Sequence, residues 1–334
     1  MIKQQTPKVG KADLITTQKA ITSIKEHFKN QLESKLNLIN VTAPLFVSQS
    51  SGLNDNLSGI EKPVCFKPKS IEKNLEIVQS LAKWKRQALA QFGFAVGEGL
   101  YTNMNAIRKD EEVDNTHSFY VDQWDWELVI NKKQRNKQFL QQVVSKIYSA
   151  LYSTQQMVVK NYGNFNNILP QKIYFITSQE LENKYCHLTA KEREQAICKE
   201  KGAVFLMQIG HKLQSGERHD FRAPDYDDWQ LNGDILVWNE RLKDALELSS
   251  MGIRVSEQSI VNQCVLNQVT HKLVLPYHQA VLNKSLPYTI GGGIGQSRLC
   301  MFLLGKKHIG EVQSSIWPKS VVKECLNQGI KLIM

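Results

Sequence analysis

Apolar residues Ile21, Ile24, Phe28, Leu32 and Leu36 recur three or four positions apart, which predicts a long amphipathic helix over residues 15–38. The pattern then shortens into extended segments over 38–41 and 43–47. Pro44 has no N–H to give, so it belongs at a strand edge or end. A second helix is predicted over 70–92, carrying Lys83, Lys85 and Arg86. Gly97, Glu98 and Gly99 break the chain; a strand over 100–108, a polar turn-rich loop over 109–116 and a returning strand over 117–130 then read as a hairpin. Beyond it the pattern predicts a helix at 137–160, strands at 173–177 and 203–209 with a helix at 191–201 between them, and a charged, aromatic loop at 210–232. Strands at 233–238 and 248–255, a helix at 256–266, a strand at 288–293 and a helix at 296–304 follow. Because strands mostly follow strands in the second half, the class is α+β, an antiparallel sheet flanked by helices.

Composition narrows this picture. The 334 residues are 42% hydrophobic and 22% charged, as in a globular chain with a sizeable core. The prolines are scattered, no Ser/Gly/Pro tract separates domains, and no solenoid repeat appears, so 1–334 reads as one catalytic unit with an extension over residues 1–12. No apolar run has membrane-span length, and the basic start lacks the apolar core of a secretion signal. The six cysteines form neither a C-x-x-C pair nor a zinc spacing, which fits a reduced cytoplasmic protein. A formal charge of +10 favours anionic ligands, yet the lysines are dispersed, so most of them read as a solvated basic surface and no nucleic-acid partner is expected. Neither G-x-G-x-x-G nor a P-loop occurs.

Two segments carry chemistry. Gly291-Gly-Gly-Ile-Gly-Gln-Ser-Arg298 is a side-chain-poor strand entering a helix. A flat base can lie against such a backbone, a helix N-terminus favours anions, and Arg298 offers a planar cation for phosphate. The glycines alone fit an ordinary turn equally well. On the return strand of the hairpin, Val121, Gln123, Asp125 and Glu127 share one face, and Tyr120, Asp122, Trp124 and Trp126 the other. Polar residues alternating along an aromatic strand suggest the floor of a polar pocket.

A strand ending in Arg108, a loop, a return strand, and later a glycine-rich strand entering a helix through Arg298 resemble the motifs of class II aminoacyl-tRNA synthetases. Longer strings resemble, more specifically, the ammonia-dependent asparagine synthetases (aspartate–ammonia ligases). They include Asp55-Asn-Leu-Ser-Gly59, Ser80-Leu-Ala-Lys-Trp-Lys-Arg86, Tyr120-Val-Asp-Gln-Trp-Asp-Trp-Glu127, Arg222-Ala-Pro-Asp-Tyr-Asp-Asp-Trp229, Leu231-Asn-Gly-Asp-Ile-Leu-Val-Trp238 and Glu247-Leu-Ser-Ser-Met-Gly-Ile-Arg254. The resemblance runs from about residue 17 to 318. One departure is the single residue, Gln230, between Trp229 and Leu231, where some members carry a longer loop.

The resemblance implies a class II synthetase-like catalytic domain that uses ATP to join L-aspartate and ammonia, through β-aspartyl-AMP. Arg108 is then expected at the α-phosphate and Arg298 at the γ end, with Ser250, Gly292 and Gly293 also contacting ATP. Asp234 and Glu247 are the expected Mg²⁺ ligands, oxygen donors suited to a cation that bridges phosphates. Lys85 is assigned to a substrate carboxylate, Gln123 and Asp125 to polar substrate contacts, and Ser80, Arg86, Arg222, Asp227 and Arg254 to the same site. Asp55 either holds the substrate ammonium or takes a proton from incoming ammonium. Glu247 has the wrong strand parity to join Ser250 and Arg254 unless a bulge intervenes, for which Gly252 is the candidate. His117, His211, His219 and Cys65 are expected to be structural or superficial, since adenylation needs no protein nucleophile. A homodimer through residues 15–46 is expected. Two rivals are a tRNA synthetase, for which the segment before the first helix is too short to hold an anticodon-binding domain, and a non-catalytic binding paralogue, against which Arg108, Arg298, Asp234 and Glu247 speak.

Overall fold

The structure, a computed structural model, describes residues 14–55, 57, 61–163 and 168–334. The extension over 1–12, and Asn56, Ser58 and Gly59 of the strings above, lie outside the described residues. In chain order the elements are α1 (Leu14–Leu36), β1 (Leu38–Asn40), β2 (Phe46–Ser48), β3 (Cys65–Phe66), β4 (Leu75–Ile77), α2 (Ala82–Phe92), β5 (Gly99–Ile107), β6 (Tyr120–Ile130) and α3 (Lys137–Tyr162). There follow β7 (Tyr174–Thr177), α4 (Ser178–Lys184), α5 (Ala190–Lys201), β8 (Ala203–Met207), β9 (Asp227–Asn239), β10 (Asp244–Arg254), α6 (Glu257–Leu266), α7 (Pro276–Leu282), β11 (Tyr288–Gly295), α8 (Gln296–Leu303) and α9 (Lys319–Asn327).

Eight strands form one sheet in the order β1-β5-β6-β11-β10-β9-β8-β7. It is antiparallel through its centre and parallel only at its two edges, β1 with β5 and β7 with β8. A second sheet, β2-β4-β3, is small. Strand alternation sorts the large sheet's residues. Trp124 and Trp126 of β6, Ile290 and Ile294 of β11, and Met251 and Ile253 of β10 join the apolar cluster of α1, α3 and α8. The Phe28 ring of α1 lies 4.8 Å from that of Trp124. The opposite face holds Gln123, Asp125 and Glu127. It is covered by α2 beside β6 and β11, and by α5 beside β9 and β10. Between those covers the sheet is open.

Three expectations change. The helix predicted over 70–92 begins only at Ala82, where the Ser80 hydroxyl accepts from the Ala82 N–H; Leu75–Ile77 is instead the middle strand of the small sheet. Asn54 Oδ1 accepts from the Gln79 N–H at 2.9 Å, a side-chain bond that competes with helix formation there. The loop predicted over 210–232 ends earlier, because Asp227 already pairs with Arg254 across the ladder. Of the small sheet only β2 overlaps a predicted extended segment, 43–47; β3, β4, α4, α7 and α9, all short, were not predicted as elements.

Trp124→Ala removes a buried ring from the helix-covered face and is expected to cost about 3–5 kcal/mol of stability. Denaturant unfolding checks this, and a loss under about 1 kcal/mol would contradict the packing described.

Candidate active site

The floor of the open face is a buried charge network. The Arg254 guanidinium donates through Nε to Glu127 Oε1 (2.9 Å), through Nη2 to Glu127 Oε2 (2.6 Å) and through Nη1 to Asp227 Oδ1 (2.5 Å). The Thr289 hydroxyl donates to Glu127 Oε1 at 2.6 Å. Burial alone would lower the Arg254 pKa, but Glu127 and Asp227 outweigh this and raise it well above the usual value. Gly291 makes the network possible, since a Cβ there would run into the Glu127 carboxylate and stand 2.7 Å from Arg254 Nη2.

Next to this floor, Lys85 from α2 donates to Asp125 Oδ1 and, at 2.8 Å, to the Gly292 carbonyl. Burial lowers the Lys85 pKa, against the pull of Asp125. Asp125 Oδ2 is buried with no hydrogen-bond partner. A lysine and a half-satisfied carboxylate thus stand side by side, as recognition of an amino acid's carboxylate and ammonium requires. Gly293 faces this side, since a Cβ on it would strike Gln123 Oε1. Gly292 faces the other way: its Cβ would stand 2.5 Å from Met251 Cβ, so its lack of a side chain serves sheet packing while its carbonyl serves Lys85.

The far end is cationic. Arg298 donates from Nη1 to the Glu247 carbonyl (3.2 Å) and from Nε to the Thr116 carbonyl (3.3 Å). Arg108 lies 3.7 Å from Glu111, and its Nε is buried without a partner. Both guanidiniums keep about a fifth to a quarter of their side chain open, 21% and 24%. Below them Arg222 bonds Asp234 Oδ2, leaving Oδ1 buried and unpartnered. Burial drives the Asp234 pKa well up, opposed by Arg222 and assisted by Glu247. Burial would raise Glu247 too, but Arg298, Arg222 and Arg108 bring it below its usual value. The predicted bulge exists, but it falls at Leu248: Glu247 pairs with Leu236 and Ser249 with Ile235. That extra residue turns Glu247 onto the face of Ser250 and Asp234; a second irregularity lies between Gly252 and Arg254. The two carboxylates, one with an unfilled oxygen, suit an oxygen-seeking cation. Among the described residues no cluster of three His, Cys, Asp or Glu side chains could hold a metal, so such a cation would need ligands from a phosphate.

The cavity, about 400 Å³, brings together Asp55, Ser80, Lys85, Arg108, Gln123, Asp125, Arg222, Asp227, Glu247, Ser250, Arg254, Gly292, Gly293 and Arg298. Two predicted residues stand elsewhere. Arg86 is buried away from the cavity, donating to the carbonyls of Pro287 (2.9 Å) and Val255 (2.8 Å), so it staples α2 to the chain around β10 and β11. One residue along a helix is about 100° around it, and Lys85 has the cavity side. Asp234 opens onto an adjoining cavity of about 310 Å³, shared with His117, Glu247 and Arg298. His117, expected to be structural or superficial, lines both cavities while bonded to Asp114. His219 is bonded to Glu194 and also lines the adjoining cavity, His211 sits edge-on to Trp229, and Cys65 is exposed. The sequence reading missed Lys83, Asp225 and His278, a buried charged group behind Asp55. Lys83 lies two positions from Lys85, and on a helix that spacing signals separate faces.

Arg254→Met would leave Glu127 and Asp227 buried without their cation. The expected loss is about 3–5 kcal/mol, against under about 1 kcal/mol for exposed Lys191→Met, both read from denaturant midpoints. Equal losses would contradict the role given to Arg254.

A model of the aspartate-ammonia ligase family matches residues 15–329. The aspartate–ammonia ligase of Clostridium tetani is 56% identical over 322 residues, covering 96% of this chain and 94% of its own. That of Ligilactobacillus salivarius is 57% identical over 325 residues, covering 97% of each. Among solved structures, asparaginyl-tRNA synthetase of Entamoeba histolytica aligns with a TM-score of 0.63 at 15% identity, over 90% of this chain and 67% of that one. Asparaginyl-tRNA synthetase of Pyrococcus horikoshii, complexed with asparaginyl-adenylate, also aligns at 0.63, with 14% identity over 90% and 70%. The likeness to the synthetases is one of fold, and the identity to the ligases is one of family: the chain belongs to the aspartate–ammonia ligase family and is a ligase on the class II aminoacyl-tRNA synthetase fold.

Proposed function

We propose that this enzyme makes L-asparagine from L-aspartate, ammonia and ATP in two steps. The aspartate β-carboxylate attacks the α-phosphorus of ATP, giving β-aspartyl-AMP and pyrophosphate; ammonia then attacks the acyl carbon and AMP departs. The observation that carries this reading is the division of one cavity into an amino-acid end, Lys85 with the unfilled Asp125 Oδ2, and an anion end, Arg108 and Arg298. Family membership supports it, as does the asparaginyl-adenylate in complex with the P. horikoshii synthetase, which shares the fold.

A carboxylate is a poor acyl donor because oxide is a poor leaving group, and joining it to a phosphate supplies a better one. The protein's part is positioning and charge stabilisation. Lys85 holds a substrate carboxylate, Asp125 the substrate ammonium, and Gln123, Ser80, Arg222, Asp227 and Arg254 complete and support that wall. Arg108, with its unpartnered Nε, stabilises charge developing at the α-phosphate; Arg298 steadies the outer phosphates. Ser250 and the site-facing Gly293 lie beside the nucleotide, and Gly292 adds backbone only. Asp234 and Glu247 would hold Mg²⁺ with phosphate oxygens, and the ion would supply Lewis-acid neutralisation of phosphate charge. No helix among the described residues is long and apolar enough to cross a membrane. Two copies are proposed to pair through residues 15–46, where Ile39, Leu45 and Phe46 are exposed.

With ATP, Mg²⁺, aspartate and ammonium and no tRNA, the purified enzyme is expected to form asparagine, AMP and pyrophosphate in equal amounts; ADP and phosphate would refute adenylation. Arg108→Ala is expected to lower kcat about 10²–10³-fold, as loss of a transition-state donor does. An unchanged kcat with raised KM would move Arg108 to ground-state binding. Because burial lowers the Lys85 pKa, its charge is lost at lower pH than for an ordinary lysine. As pH rises, the KM for aspartate should therefore begin to climb before the ordinary lysine range of about pH 10.4 is reached, whereas Lys85→Arg, which stays charged, should show no such climb. The same climb in both would detach it from Lys85.

A further inference from the structure

Behind Asp55 lies a charged group that the substrate-facing chemistry leaves unused. Lys83 donates to Asp225 Oδ2 at 2.9 Å, and the same oxygen lies 3.0 Å from His278 Nε2. All three side chains are almost wholly buried. Asp55 is itself built into place: its Oδ1 accepts from the Leu57 N–H (3.0 Å), its N–H donates to Asn54 Oδ1 (3.0 Å), and Gln79 Nε2 donates to its carbonyl (3.0 Å). The loop that carries it leans on the group, since a Cβ on Gly52, at φ +74°, would stand 3.2 Å from His278 Nδ1.

The ionisable groups that act most strongly on Asp55 include Lys83 of α2, Asp225 and Tyr226 before β9, and Arg108 beyond β5. Burial raises the Asp55 pKa. Lys83 is the strongest charge working against that, with Arg108 adding to it and Asp225 opposing it. Burial lowers the Lys83 pKa, but Asp225 and Asp55 more than offset this and raise it above its usual value, so Lys83 stays a cation. Asp225, despite its own burial, is kept ionised chiefly by Lys83 and by its bond with His278.

At neutral pH ammonia arrives as ammonium, which has no lone pair to attack with. We propose that Lys83, clamped by Asp225 and His278 in the buried group against which the Asp55 loop packs, is the positioning residue of the ammonia step, in which the Asp55 carboxylate takes the proton ammonium must lose. The proposal rests on the adenylate reading above. One N–H proton of ammonium passes to Asp55, leaving ammonia and a carboxylic acid. The freed lone pair forms the C–N bond, the acyl C–O bond breaks, and its electron pair leaves with AMP. One further N–H proton passes to the AMP phosphate or to water, and Asp55 then returns its proton to solvent.

The test compares ammonium with hydroxylamine, a nucleophile already neutral at pH 7, and measures aspartate-dependent ATP–pyrophosphate exchange alongside. Lys83→Met is expected to lower kcat/KM for ammonium about 100-fold at pH 7, and to move the acid limb of that pH profile upward. Exchange and hydroxamate formation should stay within about threefold of the parent enzyme, and Lys83→Arg should restore most of the ammonium activity. Since Lys83→Met leaves Asp225 short of its cation, the double variant Lys83→Met with Asp225→Asn, which removes both charges, is run beside it. Equal losses with ammonium and hydroxylamine, in either variant that keeps a wild-type circular dichroism spectrum, would overturn the proposal, as would an unchanged ammonium profile. Absence of exchange in the parent enzyme would instead sink the adenylate reading.

Discussion

Much of this structure depends on keeping Arg254 charged although it is almost wholly buried in the cavity floor. A lone guanidinium there would be expensive, and two carboxylates from separate strands remove that cost. Glu127 comes from β6 and Asp227 from the start of β9, so the ion group ties together strands far apart in sequence. The same requirement explains the glycine at 291, where any side chain would displace the Glu127 carboxylate. With Arg254 neutralised from below, the residues above it, Lys85 and Asp125, are left to meet a ligand of mixed charge.

Charge is then graded along the cavity. One end offers a single ammonium and a carboxylate with an unfilled oxygen; the other offers two guanidiniums and Glu247, which the Leu248 bulge turns onto the face of Asp234 in the adjoining cavity. In the proposed reaction this division would set an amino acid and a polyphosphate end to end. Positioning of that kind accounts for much of what a phosphoryl or acyl transfer enzyme contributes. The sheet face beneath is rigid because its other side is filled by Trp124, Trp126 and the helices α1, α3 and α8.

The central strands were legible because period-two alternation puts Trp124 and Trp126 on one side and Gln123 and Asp125 on the other; the tryptophans join the helix-covered core, and Gln123 and Asp125 line the cavity. The long helices were legible for the same reason at period 3.6. What the sequence hid has local causes. The segment before Ala82 has helix-compatible residues, yet Asn54 and the small sheet claim its backbone. Arg86 looked like a ligand because it adjoins Lys85 in the string, and only the helix's rotation shows that it binds carbonyls instead. Lys83, Asp225 and His278 lie in three separate segments, and no spacing announces that they meet.

The measurement that reaches the central claim most directly is transfer of oxygen label. Aspartate carrying ¹⁸O in its β-carboxylate, turned over with ATP and ammonium, should deliver one labelled oxygen to the phosphoryl group of AMP for each asparagine formed. That is the mark of an acyl–phosphate bond made at the α-phosphorus and broken on the acyl side. Label found in inorganic phosphate beside ADP, or AMP without label, would contradict the account.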